Sequence, residues 1–142
     1  MESAGLQFDE SLVIHTGIHA GGSADRPGKG GGNAVDGYKA ARVLFRLHPH
    51  LSLLFYGTDR MAMGAYDYLK ETGRRIPQDV AVVGFDNQWL VATQIRPTLT
   101  TIALPHYEMG KRAVQLALSH IDGEANPEQV ILPCRLVTRK ST

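Results

Sequence analysis

The chain has 142 residues, 43% apolar and 20% charged, with a net charge of +1, enough for one domain with a buried core. That near-neutral balance leaves no clustered Lys/Arg footprint for nucleic acid, and the apolar runs are far shorter than a membrane span. A single cysteine, Cys134, excludes an internal disulfide framework and suits a reducing cytoplasm, and no basic-then-apolar leader follows Met1.

In chain order, SLVIHT (11–16) predicts a short buried strand, and a glycine-rich stretch, GGSADRPGKGGGN (21–33), follows it. This stretch looks like a phosphate cradle but fails both common templates. Gly28-Lys29 is followed by Gly30 where a Walker loop needs Ser or Thr, and Ser23 stands where its first glycine belongs. The pattern G-x-G-x-x-G meets Asn33 in place of its third glycine. Two readings remain for it, a mobile loop without side chains to pack, or a nest of backbone N–H groups for an anion.

Asn33 is placed to cap a helix whose apolar stripe is Ala34, Tyr38, Ala41, Leu44, Phe45 and Leu47, ended by Pro49. LSLLFY (51–56) is a continuous apolar run of strand length. Gly57-Thr58 breaks it, and Asp59 opens a helix to about Thr72, stopped by Gly73 in left-handed geometry. VAVVGF (80–85) is a second apolar strand, ended by Asp86-Asn87, with a short helix predicted over 88–95 before Arg96-Pro97. LTTIAL (99–104) is extended, and Pro105 begins a helix to Ile121. A last strand over 129–140 contains Pro133, which predicts an irregular or edge position. Strands alternating with helices predict an α/β fold, a parallel sheet with helices on both faces. Small molecules bind such sheets at the carboxyl ends of the strands, here 16–19, 56–59 and 86–88.

The segments LLFYGTDRMAMGAYDYLKETGRRIPQDVAVVGFDN and RPTLTTIALPHYEMGKRAVQLAL resemble the effector-binding domain of the LacI/GalR family of bacterial transcriptional repressors. The resemblance spans about Leu53 to Leu118, with looser fits at AGLQFDESLVI and LPCRLVTRKST. It implies one lobe of a periplasmic-binding-protein-like type I fold, an α/β/α sandwich. Residues 1–142 would form the carboxyl-terminal part of the sensor, lacking the helix-turn-helix headpiece, the amino-terminal lobe and the first strand of this lobe. A small effector, a sugar or sugar phosphate, would be clamped between lobes of a cytoplasmic homodimer. Operator DNA would be reached only through the headpiece. No cofactor, metal or membrane is implied, and no chemistry on the ligand.

Carried onto this chain residue by residue, the resemblance places Asp86 on the aspartate that hydrogen-bonds ligand hydroxyls, a pairing a carboxylate suits. Thr58-Asp59 stands where the family commonly has Asn-Asp, which makes Thr58 a candidate contact with fewer donors. Asp59 has two readings, a ligand contact or a cap for the helix it opens. His19 lies near a cleft aromatic, inside a lengthened 17–33 connection read as a mobile glycine loop at the cleft mouth. Met61, Met63 and Ile95 are the candidate dimer contacts, with cover by the chain's own segments as the alternative. The apolar stripe of the helix ending at Ile121 (Gly110, Ala113, Val114, Ala117, Leu118) lacks a partner surface in this chain.

Other chemistry fits less well. His15 and His19 have no third ligand in view for a metal. Cys134 alternates with Leu132 and Leu136, which predicts a buried apolar role. No G-x-S-x-G motif is present. Asp59 and Asp86 as paired glycosidase acids would need a fixed separation. The rival functions are thus a periplasmic sugar-binding protein of an ABC transporter and, further off, an α/β-class enzyme.

Overall fold

Apolar runs too short for helices pair here into a sheet, and the periodic segments between them coil over it. The structure, a computed structural model, describes residues 9–15, 32–121 and 129–142. Among these, helix α1 (Ala34–Leu47) precedes β1 (Leu53–Phe55), α2 (Asp59–Glu71), β2 (Ala81–Asp86), the short α3 (Trp89–Ala92), β3 (Thr100–Ala103), α4 (His106–Ile121) and β4 (Arg135–Val137). The strands lie in the order β1-β2-β3-β4. The first three are parallel, and β4 pairs antiparallel at the edge, Thr101 opposite Val137. The mixed, mostly parallel sheet matches the predicted α/β class.

Local chemistry sets the helix ends as predicted. Asn33 accepts a hydrogen bond from the Asp36 N–H at 3.0 Å and caps α1. After α2, Gly73 takes a φ of +72°, the left-handed turn that ends a helix. Ala62, Ala65, Tyr66 and Leu69 of α2 are buried against Leu54, Val82 and Leu99 of the sheet segments. The opposite side of α2 meets α1. Tyr68 sits edge-on to Tyr38 at 5.6 Å and stacks on Phe45 at 6.0 Å.

Two glycines let these helices approach backbone to backbone. A Cβ on Gly37 would fall 2.6 Å from the Met61 carbonyl carbon, and one on Gly64 would fall 2.6 Å from that of Ala34. The contact buries Met61, so its placement at a dimer surface is corrected: α1 covers it.

The layering is one-sided among the described residues. Leu54, Val82 and Gly84 face the helices and are buried, while Leu53 and Phe55 on the other face remain exposed. No residue of α4 is buried, and Val114, Leu118 and Ile121 along its stripe are all exposed. The expected second helical layer therefore does not pack on this sheet.

Three local expectations change. Where a strand was expected from residue 11, Glu10–Leu12 form a short 3-10 helix, because the Asp9 carboxylate accepts from both the N–H and the hydroxyl of Ser11 and tightens the chain into a turn. Residues 13–15 then run beside β1 across an apolar cavity of 380 Å³ with no ladder between them. Cys134 is exposed rather than buried, since strand pairing begins only at Arg135. His19 and the glycine loop up to residue 31 fall outside the described residues, and Gly32 and Asn33 are its described end.

The helix contact yields a direct test. Gly37→Ala and Gly64→Ala should each destabilise the protein by about 1–3 kcal/mol, because the obstructing atoms are backbone and cannot rotate away. Gly57→Ala, where a Cβ would meet nothing within 4 Å, should leave the urea midpoint unmoved.

Candidate functional site

The carboxyl end of β2 carries an unusual backbone. Asp86 has a φ of +99° and Asn87 one of +52°. Successive non-glycine residues in this region cost about 1–3 kcal/mol each and persist only where their surroundings hold them.

The hold comes from three directions. Asn87 N–H donates to Thr101 Oγ1 of β3 at 3.3 Å, and Gln88 N–H donates to Asp59 Oδ2 of α2 at 2.7 Å. Beyond β4, Arg139 Nη2 donates to Asn87 Oδ1 at 2.8 Å. Asp86 itself is half-buried and accepts from Gln88, at 3.2 Å from its N–H and 3.4 Å from its side-chain amide. Its carboxylate keeps acceptor capacity toward a cleft of 310 Å³ lined by Asp86, Asn87, Gln88, Ala103, Leu104 and His106.

Asp59 lies beneath this rim. Its carboxylate has no exposed surface, and Oδ1 accepts from the Thr101 hydroxyl at 2.5 Å. Room for it exists because residue 84 is glycine: a Cβ there would overlap Asp59 Oδ1. Burial pushes the Asp59 carboxyl up to about 6, and the neighbouring Asp86 charge adds to that rise, while the Thr101 and Gln88 hydrogen bonds oppose it.

The predicted site residues thus separate. Asp86 sits on the open rim. Asp59 neither caps α2 nor faces the cleft, which corrects both readings of it: its side chain turns inward over Gly84. The cap is Thr58, whose Oγ1 accepts from Met61 N–H at 3.2 Å and donates to the Gly32 carbonyl at 3.0 Å. Thr58 is half-buried at the end of β1 and does not line the cleft beside Asp86. Met63 and Ile95 are half-buried, Ile95 packed against the core.

Three residues escape the sequence reading, Thr101, His106 and Arg139, while Gln88 lies in the strand end 86–88 that it singled out. Thr101 had a signal, a polar side chain at an inward position of an apolar strand, which calls for a buried partner. The others are brought to the site by long-range folding alone. Trp89 and Leu90 on α3, beside the rim, are 70% and 78% exposed and were also missed.

Over residues 1–142 the sequence matches the family model described as a periplasmic binding protein-like domain. The chain belongs to that family. This periplasmic-binding-protein-like domain is 31% identical over 140 residues to the HTH-type transcriptional regulator CelR of Thermobifida fusca, a match covering 98% of the chain and 37% of CelR. The structure of the CelR–cellobiose complex superposes with a TM-score of 0.81, covering 99% of this chain and 39% of that one at 31% identity. A LacI family transcriptional regulator from Arthrobacter in complex with lactose gives 0.68 at 35% identity, over 78% of this chain and 41% of that one. The chain spans roughly a third of the length of such relatives, 34% and 37% for the first two. These relatives are transcriptional regulators, and the two solved structures hold cellobiose and lactose.

The buried carboxyl makes stability depend on pH. Unfolded, Asp59 ionises near its ordinary 3.8, and folded near 6, so between those values the folded state holds more protons. Stability contributed by this residue therefore falls as pH rises from about 4 to 6, and levels off above. Across that window the urea midpoint of wild type should fall relative to Asp59→Asn, which cannot ionise. Parallel curves for the two proteins would reject the assignment.

Proposed function

We propose that this chain is the carboxyl-terminal part of the effector-sensing domain of a LacI-type transcriptional regulator, and that a sugar or sugar phosphate binds against the Asp86 rim. The observation that carries the reading is the Asp86 carboxylate, held in left-handed backbone at a strand end, with acceptor capacity turned toward the cleft. Two carboxylate oxygens match the spacing of neighbouring sugar hydroxyls. Sugar complexes of similar regulators, with cellobiose and with lactose, support the same ligand class. Thr58, at the end of β1, donates to the Gly32 carbonyl and so holds the start of the segment that leads into α1.

Ligand binding alters no covalent bond; it favours one arrangement of the sensor and thereby changes operator affinity. The regulator acts in the cytoplasm as a homodimer, consistent with the lac repressor dimer seen bound to operator, whose structure resembles this chain with a TM-score of 0.71 at 29% identity. Met63 and Ile95, joined by the exposed Trp89 and Leu90, form the dimer surface.

Calorimetric titration of the full-length protein with cellobiose, lactose and ribose tests the ligand. One of them should bind, and Asp86→Ala should weaken it about 10- to 100-fold, the worth of one or two charge-assisted hydrogen bonds. Unchanged affinity in Asp86→Ala would remove the rim from the reading, and turnover of a glycoside would replace a sensor by an enzyme. For the dimer, Met63→Asp should shift the mass from dimer to monomer in light scattering with the far-ultraviolet spectrum unchanged.

A further inference from the structure

Arg139 touches two parts of the sheet, both far from it in sequence. Its backbone N–H donates to Thr100 Oγ1, and its guanidinium donates from Nη1 to the Leu99 carbonyl and from Nη2 to Asn87 Oδ1, each at 2.8 Å. Two of these contacts fasten the start of β3. The third reaches the loop after β2, to the left-handed residue that follows Asp86.

The partners of Asn87 share a topological property. Thr101, which receives its N–H, lies on β3, the strand that leads out to α4. Arg139, which holds its side chain, lies two residues beyond β4, the strand by which the chain returns from α4. Helix α4 buries none of its residues here, so this sheet does not fix where it lies. Among the described residues, β3 precedes α4 and β4 follows it in the chain, and a residue of each of these two segments bonds Asn87.

We infer that Arg139 is a positioning residue for the ligand rim: through Asn87 it ties the backbone of Asp86 to the segments connecting the sheet with α4. The inference rests on the sugar-sensing reading for its purpose, but its physical content, that Arg139 orders the rim, does not need a ligand. A planar guanidinium serves two acceptors at once in fixed geometry, whereas a lysine ammonium in its place cannot span both with the same fork.

Amide hydrogen exchange on the full-length protein without sugar tests the ordering. Arg139→Lys and Asn87→Ala should each speed exchange at residues 87–88 about tenfold or more, the loss of one charge-assisted hydrogen bond. The double variant should be no faster than the faster single one, because both remove the same bond. Exchange over residues 62–69 of α2 should not change. If Asn87→Ala leaves the rim protected, or Arg139→Lys speeds α2 and the rim alike, Arg139 is only a staple of the β3–β4 edge and the inference falls. Cellobiose titration of the same proteins separates the two readings. Weaker binding in both variants supports the link to sensing. Equal binding alongside a loosened rim overturns it. No binding even by wild type counts against cellobiose as the ligand, while the exchange data still decide the role of Arg139.

Discussion

A carboxylate without exposed surface organises this molecule. Asp59 opens α2, yet its side chain turns under the sheet's end and must find donors there, because an unpaired buried charge is among the costliest features a fold can carry. It finds the Thr101 hydroxyl on β3 and the Gln88 N–H in the loop after β2. Those two hydrogen bonds fix α2, β2 and β3 relative to one another at the end where parallel sheets bind ligands. The missing side chain of Gly84 makes the space. A larger residue there would expel the carboxylate, and the rim would lose its support from below.

Much of the fold was legible because its signals are local. The apolar runs at 51–56, 80–85 and 99–104 each coincide with most or all of an observed strand, and Asn33 and Gly73 mark the helix ends they were expected to mark. Asp86 was legible too, as the first polar residue after an apolar strand. What the sequence could not separate was Thr58 from Asp59. Either residue can cap a helix, and the choice fell to Thr58 because Asp59 has a cavity to enter, formed by a glycine that follows it in the chain and lies on another element. Met61 illustrates the same limit. Its apolar face read as a surface for a partner, but the partner is α1, brought within backbone contact by Gly37 and Gly64. Alternation misled at Cys134, since period-2 patterning predicts a strand wherever it occurs, while pairing requires a neighbour that only Arg135–Val137 possess.

The surfaces left uncovered are as informative as the core. Leu53, Phe55 and Leu136 are exposed, and so is the apolar stripe of α4. Scattered apolar residues on a surface need no explanation, but several on one sheet face beside a whole helix stripe do. Among the described residues, β3 precedes α4 and β4 follows it in the chain. That arrangement makes α4 an element whose position is set by what it packs against, and makes β3 and β4 the carriers of any change in it.

The backbone strain at Asp86-Asn87 fits this mechanical picture. Two left-handed residues store about 1–3 kcal/mol each, and the bonds to Thr101, Asp59 and Arg139 offset that cost only while all three partners keep their places. Coupling between sites in allosteric proteins is typically about 1–3 kcal/mol, so the stored strain is on the right scale to matter. On the proposed sensing role, a sugar that takes over the Asp86 oxygens from Gln88 adds its own hydrogen bonds to the strained geometry and stabilises it. By linkage, whatever displaces β3 or β4 weakens the grip on that sugar by the same amount. A rim built of relaxed backbone would bind a ligand as well, but it would report less of that binding to the rest of the protein.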